Sequence, residues 1–283
     1  MSTGRAKPRH MRHTVAMAPG IDIPAYCARI GDAGPLPATL ATLKQLHRAH
    51  LLAIPFENLD IHWGRPIVLD ETRLFDKIVT RRRGGFCYEQ NGLFAAVLRA
   101  LGFQVDLLEA RVQAKTWETG RPWDHLVLLV TLEQRWLADV GFGESFREPL
   151  LLDEAGAQER PEGTWRVQHD GCEGVHSSRT AGGDWQAEYR FRLQPRQLRD
   201  FTPGCEYHQR SPDSNFTQQR VCSLATPTGR ITLGDRRFIV TENGERQEQD
   251  LADEAGFQQL LQKYFGIATP PSAVRRNDDC GCC

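Results

Sequence analysis

The sequence has no uninterrupted apolar run that approaches the roughly 18 residues needed by a membrane-spanning helix. Its formal net charge is −1, so neither sign is in enough excess to attract nucleic acid or an anionic membrane. Residues 1–20 are basic, but they lack the apolar core of a secretory signal. We therefore predict a cytoplasmic protein with neither a nucleic-acid nor a membrane partner.

The sequence has a single C-x-x-C spacing, from Cys280 to Cys283 at its end, whereas a zinc ribbon uses two such pairs. A chain of 283 residues does not need disulfides to stabilise its core, so we expect reduced thiols and no metal site. The terminal cluster Cys280, Cys282 and Cys283 is expected to lie free in a tail, although such clusters also bind soft metals or carry lipids. The other cysteines are Cys27, Cys87, Cys172, Cys205 and Cys222.

The length of the chain predicts more than one structural unit, because single cores rarely exceed about 250–300 residues. Residues 1–20 are expected to form a flexible extension, and residues 21–102 a helical bundle. Apolar residues recur at helical spacing from Pro37 to Ala53, again after Asp70, and from Cys87 to Leu101.

The periodicity then changes to that of strands. Residues 103–202 are predicted to be mostly β, and residues 203–268 to be mixed α/β. Within the mixed segment, Asn243-Gly244 is a strong signal for a hairpin turn. Residues 269–283 show no core-forming pattern and are predicted to be a disordered tail.

Cys87 is the first candidate for chemistry. It follows Gly84-Gly85-Phe86 and opens a predicted helix, where the positive end of the helix dipole favours a thiolate. The glycines before it would let the backbone and a ligand approach closely. The alternative is that Cys87 is a small buried hydrophobic residue, as most unpaired cysteines are.

A thiolate nucleophile needs a base, and the base needs an orienting group. His125 precedes the apolar run 126–131, and Asp139 lies in the neighbouring run 135–140. If the two runs form a hairpin, the aspartate returns beside the histidine, and burial of an aspartate there requires such a partner. The alternatives are a hydrogen-bonded core histidine and a strand-end aspartate.

The segment Gly141-Phe142-Gly143 follows directly after this aspartate. Two glycines around an aromatic residue suit a loop that lies against a ligand, and its backbone N–H groups could face an oxyanion. A plain turn is the competing interpretation.

Several segments resemble the signatures of the arylamine N-acetyltransferase family. The similarity extends from about Ile21 to Ile267, and the motifs occur in the family's order. They are Ile54-Pro55-Phe56-Glu57-Asn58-Leu59, Arg83-Gly84-Gly85-Phe86-Cys87-Tyr88-Glu89-Gln90-Asn91, the strand from His125 to Val130, Asp139-Val140-Gly141-Phe142-Gly143, Ser211-Pro212, and Cys222-Ser223-Leu224-Ala225-Thr226-Pro227 with Gly229-Arg230.

The resemblance implies an α+β multidomain fold with a helical N-terminal bundle, a β-barrel-like middle domain, an α/β lid and a papain-like Cys-His-Asp core. It implies transfer of an acetyl group from acetyl-CoA to an arylamine, arylhydroxylamine or hydrazine, with ping-pong kinetics. By the same resemblance, the bundle carries the nucleophile and the barrel carries its base and orienter. The implied residues are Cys87, His125 and Asp139 for catalysis, Phe56 and Phe142 for the acceptor pocket, and Gly143 and Thr226 for the coenzyme.

Two other classes of protein remain open at this point. A cysteine hydrolase or a transglutaminase-like acyltransferase with another acyl donor would use the same three residues. A binding protein that kept the fold without turnover is the second alternative. The physiological acceptor, the preferred acyl chain and the oligomeric state are not specified by these motifs.

Overall fold

The computed structural model describes residues 20–270, except residues 33, 35, 114 and 181. The predicted extension at residues 1–20 and the predicted tail at 269–283 lie outside the described residues, apart from residues 20, 269 and 270. Within the described part of the chain, no helix is long and apolar enough to cross a membrane.

The first part of the chain is helical, as predicted, and polar caps fix where its helices begin. Asp22 accepts a hydrogen bond from the Ala25 backbone at the start of the first helix, and Thr39 caps the second in the same way. A π-helical turn, Asp76–Thr80, follows the fourth helix. The helices are α1 (Ile23–Ile30), α2 (Leu40–Ala53), α3 (Leu59–His62), α4 (Glu71–Phe75) and α5 (Cys87–Ala100).

Helix α5 is the centre of this part of the molecule. The sequence predicts one buried face, but every residue from Cys87 to Leu98 is buried. The reason is that α5 lies between the other helices on one side and the strands that follow it on the other, so both faces are covered.

The middle of the chain forms an eight-stranded antiparallel sheet that is curled into a nearly closed barrel. The order along the sheet is β5-β4-β3-β2-β9-β8-β7-β6. The edge strands are joined by Gln158, whose side chain makes two 2.8 Å hydrogen bonds to the Leu151 backbone. The strands are β2 (Gln104–Val112), β3 (His125–Thr131), β4 (Arg135–Ala138), β5 (Leu150–Leu151), β6 (Gln158–Arg160), β7 (Gly163–His169), β8 (Glu173–Arg179) and β9 (Gln186–Arg196).

The last part of the chain forms a five-stranded antiparallel sheet with helices beside it. Its β12–β13 turn is Asn243-Gly244, as predicted, and both residues have positive φ (49° and 84°), as a tight hairpin turn requires. The strands are β10 (Val221–Thr226), β11 (Gly229–Gly234), β12 (Arg237–Glu242) and β13 (Glu245–Asp250), and the helices are α6 (Thr202–Arg210), α7 (Asn215–Gln218) and α8 (Glu254–Phe265).

One strand of this sheet comes from the N-terminal part of the chain. Strand β1 (Phe56–Glu57) pairs with β10, and Phe56 lies opposite Ser223. The sequence gives no sign of it, because two residues are too few to show a period. The C-terminal sheet is therefore hydrogen-bonded to the segment that precedes the cysteine helix.

Buried ion pairs hold β1 against the loop before α5. Arg83 pairs with Glu57 at 2.6 Å and with Asp60 at 3.1 Å. Lys77 pairs with Glu89 at 2.7 Å. Arg83 and Glu89 thus form structural ion pairs, each with its own partners.

Candidate active site

Cys87 is the first residue of α5 and is 4% exposed. Glu89 caps the helix, since its carboxylate accepts a 3.2 Å hydrogen bond from the Phe86 backbone. The glycines before Cys87 allow a close approach of backbone, as predicted, and at Gly84 the approaching group is protein. A Cβ on Gly84 would lie 1.9 Å from the Pro55 carbonyl oxygen. Gly84 therefore permits close packing of this loop on the backbone that precedes β1.

His125 and Asp139 are brought together by the β3–β4 hairpin. Its register pairs Leu128 with Ala138, so the ends of the two strands lie side by side. The distance from His125 Nε2 to Asp139 Oδ2 is 2.7 Å, and both side chains are buried. Because an ionised carboxylate only accepts hydrogen bonds, the proton of a neutral His125 is assigned to Nε2, which leaves Nδ1 unprotonated.

Two further donors stabilise the carboxylate of Asp139. The Asn91 side-chain amide donates to Oδ1 at 2.8 Å, and the Gly141 backbone donates to the same oxygen at 2.9 Å. Burial alone raises the pKa of Asp139, but the interactions with His125, Asn91 and Gly141 outweigh it and hold the pKa below its ordinary value. Asp139 is thus an ionised carboxylate held against His125.

Asn91 and His47 both bond Asp139, and the sequence singles out neither of them individually. Asn91 lies four residues after Cys87, on the same face of α5, and it also bonds the Leu126 carbonyl at 2.7 Å. His47 accepts a 3.1 Å hydrogen bond from the Asp139 backbone. The helical spacing is a usable signal for Asn91, whereas His47 comes from a distant helix and has none.

The loop after Asp139 lies directly on the cysteine. A Cβ on Gly141 would come within 2.7 Å of the Cys87 Cα atom, so only glycine fits there. The Gly141 N–H is already bonded to Asp139, so this N–H does not face an oxyanion as predicted. The glycine instead sets the distance between the aspartate loop and α5.

Cys87 and His125 line the same cavity, which has a volume of about 440 Å³. Its aromatic residues include the two predicted acceptor-pocket residues, Phe56 and Phe142, and the Phe142 ring lies edge-on to His125 at 5.4 Å. The sequence does not single out the cavity residues that come from residues 207–216. The full lining is Phe56, Cys87, Val112, Gln113, Arg121, Asp124, His125, Gly141, Phe142, Tyr207, His208, Asp213, Ser214, Asn215 and Phe216.

The two predicted coenzyme residues are not part of that lining. The Gly143 carbonyl, in a left-handed residue with φ 92°, accepts from Arg230. The Thr226 carbonyl accepts a 2.7 Å hydrogen bond from Arg147. Both residues lie where the barrel meets the C-terminal sheet, and a role in coenzyme binding stays a prediction.

The environment of the thiol opposes its ionisation unless a cation is nearby. Burial raises the pKa of Cys87 well above its ordinary value, and the carboxylates of Asp124 and Asp139 raise it further.

Among the residues that the structure describes, no cluster of three or more His, Cys, Asp or Glu side chains is arranged to hold a metal ion.

A buried cysteine at a helix start, sharing a cavity with a hydrogen-bonded histidine–aspartate pair, is typical of cysteine-nucleophile enzymes. Residues 39–274 match the family model described as N-acetyltransferase. The chain is 38% identical to the arylamine N-acetyltransferase of Escherichia coli over 86% of this chain and 87% of that protein. It is 32% identical to human arylamine N-acetyltransferase 1 over 92% and 98% of the two chains.

Solved structures show the same likeness. The Salmonella typhimurium arylamine N-acetyltransferase is 35% identical, with a TM-score of 0.81 over 91% of this chain and 93% of that chain. The Mycobacterium marinum enzyme in complex with CoA is 33% identical, with a TM-score of 0.79 over 87% of this chain and 93% of that chain. The chain belongs to the arylamine N-acetyltransferase family, which confirms the assignment made from its motifs. The α+β fold with a barrel-like sheet is confirmed as well.

Proposed function

We propose that this chain transfers an acetyl group from acetyl-CoA to the nitrogen of an arylamine, arylhydroxylamine or hydrazine, through an acetyl-Cys87 intermediate. The observation that carries the proposal is that Cys87 and His125 line one cavity, while Asp139 binds the histidine at 2.7 Å. Family membership supports the acetyl-CoA-dependent arylamine activity, and the M. marinum relative was solved with CoA.

In the first half-reaction, the sulfur of Cys87 attacks the thioester carbonyl. The thiol proton passes to His125, and the resulting imidazolium offsets the unfavourable burial of the thiolate. The carbon–sulfur bond to the coenzyme then breaks, and the coenzyme leaves as a thiol after taking the proton from His125. Asp139 orients the imidazole and stabilises its charged form.

In the second half-reaction, the amine nitrogen attacks the acetyl carbon on Cys87. His125 removes the proton that the nitrogen loses, and the bond to the cysteine sulfur breaks. The cysteine sulfur regains a proton, which restores the starting state. Because the coenzyme leaves before the amine reacts, the kinetics are ping-pong.

Within this proposal, Phe56 and Phe142 hold the planar acceptor, while Gly143 and Thr226 contact the coenzyme. The three catalytic residues form a papain-like core. The units 21–102, 103–202 and 203–268 serve as bundle, barrel and lid. The protein acts in the reducing cytoplasm, which keeps Cys87 as a free thiol.

The test is intact-mass measurement after mixing with acetyl-CoA alone. One acetyl group should be added, and peptide mapping should place it on Cys87. Adding an arylamine should then remove it and release the N-acetylated amine. An acetyl group on Cys222 or on the C-terminal cysteines would contradict the proposal. Release of acetate at the same rate with and without amine would favour a cysteine hydrolase.

A further inference from the structure

The cavity contains a second histidine–carboxylate pair, which the proposed reaction does not use. His208, from α6, is 8% exposed, and its Nε2 atom lies 3.1 Å from Oδ1 of Asp124. Both residues line the cavity that contains Cys87. Asp124 directly precedes His125 in the chain, so this pair lies beside the first one.

The remaining polar atoms of the pair also have partners. Nδ1 of His208 lies 2.9 Å from the Ser214 hydroxyl, and Oδ2 of Asp124 accepts a 3.2 Å hydrogen bond from the Val112 backbone. Since the carboxylate accepts, Nε2 carries a proton, and Nδ1 can either accept from or donate to the rotatable hydroxyl of Ser214. The pair therefore keeps every hydrogen bond whether His208 is neutral or charged.

The pair connects the lid side of the cavity to the cysteine helix. Tyr88, the residue after Cys87, donates a 3.0 Å hydrogen bond to the Asp124 backbone carbonyl. The Tyr88 ring also lies 6.1 Å from the His208 ring. Asp124 is thus fixed from α5 through its backbone and from α6 through its carboxylate.

Other charged and titratable groups complete the surroundings. Tyr207 lies beside His208 on α6, and the Arg121 guanidinium stacks on the Tyr207 ring with its carbon 3.4 Å from the ring centre. Cys205 lies one turn earlier on the same helix. Asp139, which bonds His125, is the other carboxylate that raises the pKa of Cys87. Asp124 and Ser214 both line the cavity and bond His208, and Asp124 is the charged member of the two.

We propose that His208 is a positioning residue that holds the Asp124 carboxylate on the α6 side of the cavity and offsets its charge, which favours the thiolate form of Cys87. The proposal rests on the proposed role of Cys87 as a nucleophile. After burial, the carboxylate of Asp124 is the largest influence that raises the pKa of Cys87, ahead of Asp139. An Asp124 carboxylate without its histidine would therefore oppose the thiolate more strongly.

The test compares four variants by the rate at which iodoacetamide alkylates Cys87 as a function of pH, with peptide mapping to isolate this cysteine. His208→Phe removes both hydrogen bonds, and Asp124→Asn removes the carboxylate charge. The double variant combines the two changes. His208→Gln is the conservative control, since a glutamine N–H can replace Nε2–H as donor to Asp124. Melting temperatures are measured for all four.

At neutral pH we expect His208→Phe to react about tenfold more slowly than the wild type, which corresponds to an apparent pKa about one unit higher. Asp124→Asn should react at least about threefold faster than the wild type, and His208→Gln should stay within about threefold of the wild type. The double variant should react like Asp124→Asn, because His208 acts through the carboxylate that this variant lacks. This rescue is the decisive result, because a merely structural role for His208 would not be corrected by a second substitution.

An unchanged rate in His208→Phe would overturn the proposal, and so would a double variant as slow as His208→Phe. If His208→Phe does not fold, Asp124→Asn decides, because an unchanged or slower rate in that variant contradicts the proposed effect of the carboxylate. Alkylation requires no acetyl-CoA. If the alkylation test contradicts the role of His208, the acetyl-Cys87 measurement is unaffected. If the acetyl-Cys87 measurement fails, the alkylation rates can still be interpreted.

Discussion

The side-chain amide of Asn91 donates a 2.8 Å hydrogen bond to the carboxylate of Asp139. Asn91 lies one helical turn beyond Cys87 on α5. The same side chain bonds the Leu126 carbonyl and accepts from the Val140 backbone. Asn91 therefore joins the cysteine helix to both strands of the hairpin that carries His125 and Asp139.

Replacing Asn91 with alanine should lower both stability and activity. The Leu126 carbonyl and the Val140 N–H would lose their partners, and each unsatisfied buried group costs about 1–3 kcal/mol. We expect urea unfolding to show a loss of roughly 2–5 kcal/mol and kcat/KM to fall as Asp139 loses a donor. Asn91→Asp, which is isosteric but places a second carboxylate against Asp139, should be less active still. Full activity of Asn91→Ala would show that the amide is dispensable.

His125→Ala should abolish rapid alkylation of Cys87 at neutral pH. Burial and the nearby carboxylates raise the pKa of Cys87, so without an imidazolium the thiol should react only at strongly alkaline pH. The control is His169→Ala, since that histidine bonds Asp153 on the outside of the barrel. Alkylation is followed by mass spectrometry across a pH series. An unchanged profile in His125→Ala would rule out the cysteine–histidine ion pair.

Phe142→Ala should raise the KM for arylamines and alter acceptor preference, because a stacked aromatic pair contributes about 0.5–1.5 kcal/mol beyond burial. Acetylation of Cys87, measured in a single turnover, should change much less. Phe146→Ala is the matched control, since Phe146 is fully buried in the barrel and does not line the cavity. That variant should lose about 3–5 kcal/mol of stability and keep its acceptor profile. If Phe142→Ala lost stability but kept its acceptor profile, Phe142 would not be an acceptor-binding residue.

Lys77→Met should be strongly destabilising. Lys77 is buried among carboxylates, 2.7 Å from Glu89 and 2.9 Å from Asp60, and breaking a buried ion pair costs about 3–5 kcal/mol. Lys44→Met provides the comparison, because its pair with Glu148 is about one-third exposed and should contribute less than about 1 kcal/mol. Both are measured by urea unfolding at neutral pH. Similar losses in the two variants would contradict the assignment of the Lys77 cluster as a stabilising element.

His176 should contribute to acid sensitivity. It is fully buried, neither ring nitrogen has a hydrogen-bond partner among the described residues, and burial lowers its pKa to about 3. Between roughly pH 6.5 and pH 3, His176 binds a proton in the unfolded chain but not in the folded protein, so the free energy of unfolding falls as the pH falls.

His176→Phe should therefore reduce the slope of unfolding free energy against pH by up to about 1.4 kcal/mol per pH unit below pH 6.5. His169→Phe serves as the comparison, because His169 bonds Asp153 at the barrel surface. Urea unfolding is measured at several pH values from neutral to mildly acidic. A slope that stays at the wild-type value in His176→Phe would show that His176 is not buried in its neutral form.

The parts of the site that could be predicted are those held together by local structure. His125 and Asp139 are 14 residues apart, so a hairpin was enough to bring them together. The start of α5 at Cys87 followed from the glycines before it and the apolar spacing after it. Asn91 was within reach of the same reasoning, because helical spacing alone places it on the face of Cys87.

The parts that could not be predicted depend on contacts between distant segments. His208 and Asp124 are 84 residues apart, and no periodicity in either segment indicates that they meet. The same holds for Phe216, whose ring packs against the distant Phe86 with 5.7 Å between the ring centres. The glycines before Cys87 predict a close approach of backbone or ligand, but they do not indicate that the group packed on Gly84 is the distant Pro55 carbonyl.

The pairing of β1 with β10 also orders events during synthesis of the chain. Asn58, next to β1, accepts a hydrogen bond from Val221, 163 residues further along. Closing so long a loop costs entropy and delays folding. Because the chain is synthesised from its N-terminus, the helix that contains Cys87 emerges from the ribosome long before β10, the strand that pairs with Phe56. Until then the nascent chain exposes an unpaired strand edge, a template on which other chains can associate. A partly synthesised chain thus contains Cys87 without a complete cavity around it, and enzymatic activity should arise only once the last sheet has left the ribosome.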